Sequence, residues 1–285
     1  MKEKYFEQIH IFVSGFKREK FETPDEIWDF LIRKASSIIG CHAATFFEAD
    51  EAKKNLSIKK SIGPVAKDIS RISFGYQGIV GWCAETREPI IANEVEKDPR
   101  FSKNVDYGTG FKTKSIIAVP CVYKDRLYGI VELINPVVGA FTEDDLKLVG
   151  TLCLIICQAV AIKELESALK QMSLKGENTI NNLSGGFIGV DLDLKITFFN
   201  PKAREIFEVG EEYLNKGIID FYKACPDAVN IIGEVLKNGK TVRRQEFKCV
   251  VNGKTKTIGY SSITMKGVDG NMIGAGMIFQ DITNV

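Results

Sequence analysis

The sequence predicts an α+β chain: two domains built on antiparallel sheets and joined by a long helix. Three observations carry this reading. First, in GFKTKSIIAVPCVYKDRLYGIVELINP (110–136) two apolar runs, 115–123 and 127–134, flank the charged turn Lys124-Asp125-Arg126, which is a hairpin signal. Second, apolar residues at helical spacing run from Thr142 to about Ser173 or Lys175. Third, three β-rich runs close the chain at 241–250, 254–265 and 273–282, the first two joined by Asn252-Gly253, a strong hairpin turn.

Taken in order, Tyr5, Phe6, Ile9, Phe12, Val13 and Phe16 recur at helical spacing and predict an amphipathic first helix. Thr23-Pro24-Asp25-Glu26 starts a second. Thr23 is placed to cap, Pro24 suits the first helical position, and Glu26 is placed to bond back to the cap amide. Ile27, Phe30, Leu31, Ala35 and Ile38 give this helix a buried stripe, and Gly40 stops it. Strands are expected over 44–49 and 56–62, a short helix over 78–86 and a strand over 89–95. The polar, turn-rich stretch 97–109 reads as a functional loop more readily than as a solvated crossover.

In the central hairpin Ile116, Ala118 and Val122 share one face, and Ile117, Val119, Cys121 and Tyr123 the other. A strand apolar on both faces is covered on both sides, here by helices on one and a roofed pocket on the other. In the long helix that follows, Thr142 caps with Asp145 three residues on. Its first half reads as buried almost all round. Its second half narrows to Gln158, Ile162, Leu165, Leu169 and Met172, spaced 4, 3, 4, 3, a coiled-coil-like seam of about two heptads. Beyond it, 187–191 and 196–199 form a hairpin, Asn200-Pro201 caps the short helix KAREIF, 214–221 is irregular, and 226–238 is a helix ending at Gly239. The expected boundaries are 1–165, a helical linker 166–177, and 178–285.

The hairpin, together with GIVGWCAETREPIIANEVEKDPRF (78–101) and the helix opening Phe141-Thr142-Glu143-Asp144-Asp145, resembles a GAF domain. FIGVDLDLKITFFNPKAREIFEVG and the closing MIFQDIT resemble a PAS domain. The resemblance implies a small-molecule sensing and dimerising module, not an enzyme. It would be the input part of a bacterial sensor kinase or transcriptional activator, with its output element supplied elsewhere. It places Phe111 and Thr113 at the ligand pocket, beneath the 97–109 loop that forms its lid. Trp82 and Cys83 stand near that pocket. Glu132, inside an apolar strand, either reaches a ligand polar group or faces solvent.

Two other readings stand beside the sensor. Nucleotide-binding members of the GAF family share Asn-Lys, then Phe, three residues and Asp-Glu. This chain has Asn135, Phe141 and Asp145, but Pro136 replaces the lysine and Leu146 the glutamate, so the lysine–aspartate pair of that pattern cannot form. A thiol enzyme of the methionine-sulfoxide-reductase kind would need clustered cysteines around the pocket, and Cys83 is the best reactive candidate. Cys153 and Cys157, at i and i+4 among Leu152, Leu154, Ile155 and Ile156, read as core. Cys225, at a helix start before Pro226, is open to mild activation but reads as packing.

In the PAS-like half no histidine follows His42 and no flavin-attachment motif occurs, so no haem or flavin is implied. Phe187, Phe199, Phe207, Phe221 and Phe279 are expected to fill its interior. A net charge of +1 offers no broad attraction to nucleic acid or anionic membrane. Seven scattered cysteines suit a reducing cytoplasm, and two histidines with no Cys-x-x-Cys argue against a zinc site. No signal-peptide core opens the chain. The greasy run 148–162 falls short of the ~20 residues a membrane span needs. The partners implied are a small-molecule ligand, a second copy paired through the helix 142–175, and a downstream output domain or protein.

Overall fold

Two aromatic-rich helices open the chain. In the computed structural model, which describes residues 2–69, 72–102 and 110–283, α1 (Lys2–Arg18) and α2 (Pro24–Ile39) meet through Phe12, Phe16 and Phe30, with ring centroids 5.2 and 5.5 Å apart. Gly40 ends α2 in the left-handed conformation, at φ 74°. The cap at its start differs from expectation. Thr23 makes no side-chain cap bond, and Glu26 accepts from the Glu22 amide at 2.7 Å instead. The reciprocal pair does form at the long helix α5 (Glu143–Asn181): the Thr142 amide donates to Asp145 Oδ2 at 2.8 Å, and the Asp145 amide donates to Thr142 Oγ1 at 3.2 Å.

The chain divides into two units, Met1–Ala168 and Leu169–Val285. In the first, β1 (Cys41–Asp50), β2 (Asn55–Ile62), β3 (Ser73–Gly75), β4 (Ile90–Ala92), β5 (Ile116–Tyr123) and β6 (Arg126–Pro136) form one antiparallel sheet in the order β3-β2-β1-β6-β5-β4. The period-two alternation of the hairpin is realised. Ile117, Val119 and Cys121 face the helices α1, α2 and α5, beside Trp28, Phe46, Val131, Leu152 and Ile156. Ile116 and Ala118 face the other way, toward the short helix α4 (Gly78–Thr86), with Phe47, Ile79, Val80, Cys83 and Ile130. Gly129 is required where β6 crosses β1, because a Cβ there would stand 1.9 Å from the Phe47 carbonyl oxygen. A four-residue helix, α3 (Ala66–Ile69), lies between β2 and β3. β4 is shorter than 89–95, since Val95 begins a 3-10 turn whose amide bonds the Lys114 carbonyl. Residues 103–109 of the expected loop lie outside the described residues.

α5 runs six residues past Lys175 and is buried on one side only. Leu148, Val149, Leu152, Ile156 and Val160 are buried, whereas Leu154 is 52% exposed. A helix packed on a sheet has one buried face, so the expectation of burial almost all round does not hold. By length and composition α5 is apolar enough to cross a membrane, contrary to the reading of its run as too short, although its buried face belongs to the sheet-facing core.

In the second unit β7 (Gly186–Asp191), β8 (Ile196–Phe199), β9 (Gln245–Val251), β10 (Lys254–Lys266) and β11 (Met272–Asp281) form an antiparallel sheet ordered β8-β7-β11-β10-β9. α6 (Pro201–Phe207), capped by the Asn200 side chain through the Ala203 amide, and α7 (Pro226–Asn238) cover one face. β9 begins later than 241 because the Val242 and Arg244 amides bond the hydroxyls of Ser262 and Ser261 and not a strand carbonyl. Phe199, Phe207, Phe221 and Phe279 meet edge-on or tilted in the core at 4.9–5.4 Å. Phe187 does not join them. Strand alternation turns it to the opposite face, where its ring approaches the bare Cα positions of Gly189 and Gly276 and lies 6.1 Å from Phe198.

Candidate functional site

A cavity of about 230 Å³ lies on the α4 side of the first sheet. Period-two positions build its floor: Ala43, Thr45 and Phe47 on β1, Ile116 on β5, and Glu132 and Ile134 on β6. Its walls are mainly apolar, with Ile58, Ile62, Ile69, Phe74 and Val80 among them. Thr45 pairs in register with Glu132 across β1 and β6, and its hydroxyl lies 3.1 Å from that of Ser61. Glu132, 9% exposed, faces the cavity and not solvent. Val131 and Leu133 on either side of it face the helices.

Phe111 and Thr113 also line the cavity, and the structure shows what holds them there. Asn135, with φ +54°, accepts from the Lys114 and Ser115 amides at 2.8 and 3.1 Å and donates to the Lys112 carbonyl at 2.8 Å. One side chain thus satisfies three backbone groups of the segment that carries Thr113. Asn93 exchanges two bonds with the Phe141 backbone, at 2.9 and 3.0 Å, and its carbonyl accepts from Ser115 Oγ. This brace was not read from the sequence. Asn135 and Phe141 stood out there only as parts of a nucleotide-binding pattern, and no local signal reveals an amide aimed at a segment twenty residues away.

Trp82 and Cys83 do not line the cavity. Along α4 it is Ile79 and Val80 that reach it, while the following turn carries Trp82 and Cys83 past it. Trp82 instead stacks against a cation. The Arg100 guanidinium lies 4.6 Å from its ring centroid, and Asp98 grips the same guanidinium at 2.7 and 2.9 Å. The clasp presents Phe101 and Ser102 to the cavity. The hydrogen bond from Arg100 holds the Asp98 carboxyl below its ordinary range.

Six of the seven cysteines are buried, and Cys41 is half-buried. Cys83 is 0% exposed, and burial pushes its thiol well up. Cys121, which the sequence did not link to the helix pair, meets Cys153 and Cys157 in the core, and burial raises it too. Cys225 is pushed up to about 12 by burial, the opposite of activation. Among the described residues no cluster of His, Cys, Asp and Glu is placed to hold a metal ion.

The sheet order, the helix-covered face and the roofed opposite face of the first unit agree with a family match: residues 23–160 match the model of the GAF domain, and residues 174–282 that of the PAS fold. The chain is a GAF domain followed by a PAS domain. Both are sensory domains and not catalytic ones, and GAF domains bind small molecules such as cGMP. Curated relatives include the cGMP-specific 3',5'-cyclic phosphodiesterases of Drosophila sechellia and Drosophila melanogaster, each 31% identical over 101 residues. That stretch is 34% of this chain and 8% and 9% of theirs. A probable 3',5'-cyclic phosphodiesterase, pde-5 of Caenorhabditis elegans, is 35% identical over 69 residues, 24% of this chain and 10% of that protein. The chain therefore spans about a tenth of these relatives or less. In fold, the GAF domain of a phosphoenolpyruvate-protein phosphotransferase from Coxiella burnetii has a TM-score of 0.51 at 14% identity, covering 58% of this chain and 97% of that one. The Escherichia coli DhaR(N)–DhaL complex has a chain with a TM-score of 0.50 at 14% identity, covering 94% of this chain and 89% of that one.

Proposed function

We propose that the chain is a signal-sensing and dimerisation module of the cytoplasm. Its GAF cavity takes a small molecule, and the occupied state is relayed through α5 to an output domain or partner. The observation that carries this reading is the cavity itself: mainly apolar, braced at Thr113 by Asn135, and furnished with a few convergent polar groups, as ligand sites are. The buried, protonated Cys83 argues against the thiol-enzyme alternative. The phosphodiesterase relatives bring cGMP into consideration, but Pro136 ends β6 where the nucleotide-binding pattern has lysine, and Asp145 is engaged in capping α5. Mass spectrometry of the native protein is expected to find a retained small molecule. Thermal stabilisation by that molecule without turnover supports the sensor, and turnover that depends on Cys83 overturns it.

The second half of α5 supports pairing with another copy. Ile162, Leu165, Leu169 and Met172 are 58–70% exposed, and Leu154 extends the same stripe toward the N-terminus of the helix. Pairing this seam would bury several leucine-sized side chains, each worth ~1.5–3 kcal/mol before association costs. Light scattering is expected to show a dimer, and Leu165→Glu with Leu169→Glu to raise its dissociation constant at least tenfold. A wild type that is monomeric at tens of micromolar rules the seam out.

A further inference from the structure

We propose that the GAF cavity takes a small aromatic molecule carrying a hydroxyl group, an aryl alcohol or a phenol, with that hydroxyl seated on Thr45 and Ser61, and that it is too small for a nucleotide. This rests on the reading of the cavity as a small-molecule site. Volume sets the size. An apolar cavity of about 150 Å³ holds benzene. In proportion, the cavity of about 230 Å³ takes roughly nine non-hydrogen atoms. A cyclic nucleotide, with its base, ribose and phosphate, is more than twice as large.

The walls set the class. Phe47 and Phe74 line the cavity with ring centroids 5.6 Å apart and planes at 72°, and Phe101 lines it too. Aromatic rings pack best offset or edge-on, so a ligand ring continues the arrangement that these phenylalanines begin. The hydroxyl pair sets the orientation. Thr45 on β1 stands in register with Ser61 on β2, and their oxygens lie 3.1 Å apart. Thr45 is only 2% exposed, so its hydroxyl is held on the cavity floor and away from the surface. Two hydroxyls carry two hydrogens, and their mutual bond uses one. One donor and several lone pairs remain, and the pair makes no other side-chain hydrogen bond among the described residues. A ligand group that both gives and accepts a hydrogen bond matches what is left. The smallest such group is a hydroxyl, which leaves the rest of the volume to the ring. Glu132 and Thr113, which also line the cavity, each have an interaction of their own within the protein, so recognition falls to the hydroxyl pair.

Three probes separate the hydroxyl from the ring and from size: 2-phenylethanol, n-propylbenzene, in which a methyl group replaces the hydroxyl, and cGMP. Each is to be titrated calorimetrically against the full chain. The alcohol is expected to bind at least tenfold tighter than cGMP. Thr45→Val keeps the shape of the side chain and removes its hydroxyl. It is expected to weaken the alcohol about tenfold and to leave n-propylbenzene unchanged, which also shows that the cavity is intact. Ser61→Ala is expected to act in the same direction and serves as the second variant where Thr45→Val does not fold. If neither variant moves the ratio of alcohol to n-propylbenzene affinity, the proposal is overturned. Binding of cGMP by the wild type as tight as that of the alcohol overturns it as well. If no probe binds but native mass spectrometry finds a retained molecule, the proposal falls and the sensor reading stands. If no probe binds and nothing is retained, both fall.

Discussion

The GAF and PAS units use the same device, an antiparallel sheet with helices on one face, and differ in what fills the space beside it. In the GAF unit the helix face is solid, with Trp28 stacked on Phe46 at 4.1 Å, while the opposite face roofs a 230 Å³ cavity. In the PAS unit four phenylalanines and Tyr213 interlock on the helix face, with ring centroids 4.9–5.4 Å apart. The difference teaches that the sheet does not decide whether a sensor domain has room for a ligand. The side chains that its two faces carry do. In the PAS unit large aromatic side chains stand at packing distance, whereas short side chains such as Ala43, Thr45 and Thr113 line the void on the GAF floor.

Phe221→Ala is expected to break the comparison most. Its ring touches Phe199, Phe207 and Tyr213, so truncation costs ~3–5 kcal/mol and leaves a cavity in the PAS core. Denaturant unfolding should show the loss, and xenon binding by the variant but not by the wild-type PAS unit should show the cavity. Enlargement reads the same contrast in reverse. Ala228→Leu in the filled PAS core is expected to cost ~1–3 kcal/mol through overpacking. Ile134→Phe, facing the GAF cavity, should change stability by less than ~1 kcal/mol while abolishing ligand-induced stabilisation.

Asn135→Ala is expected to cost ~1–3 kcal/mol, since it strips partners from three backbone groups of the Thr113 segment. It should also weaken ligand binding, whereas Asn252→Ala at the PAS hairpin turn should leave binding alone. The smallest effect belongs to Asp98. Arg100 depresses its folded carboxyl below the unfolded value, so its contribution is complete above about pH 4 and is lost as pH falls through the lower folded value. The magnitude is about 1 kcal/mol for this part-buried, bidentate pair. An NMR titration of the Asp98 carboxyl carbon should show a depressed midpoint that Arg100→Ala restores.

Much of the fold was legible because its signals are local. The two-faced alternation of 116–123, the Thr142–Asp145 cap, the Asn252-Gly253 turn and the helix from Pro226 to Gly239 each depend on residues a few positions apart. What was missed depends on residues far apart in the chain. Phe187 reads as one more core phenylalanine until Gly189 and Gly276, the latter on a distant strand, open a place for it on the other face. Cys121 joins Cys153 and Cys157 only when the sheet meets α5. Trp82 reads as a neighbour of the pocket, but the helical turn carries it to Arg100.

By itself, then, the sequence determined most of the elements and their order, because periodicity, caps and turns act within a few residues, and the motifs it carries pointed to both domain families. Only the tertiary structure decided that Glu132 faces the cavity and not solvent. A strand's alternation states that two faces exist, and packing of the helices against Val131 and Leu133 chooses which one is closed to Glu132. Only the tertiary structure, too, turned Asn135 from part of a pattern into the brace that holds the cavity's edge. A side-chain amide carries no record of which distant backbone it will meet.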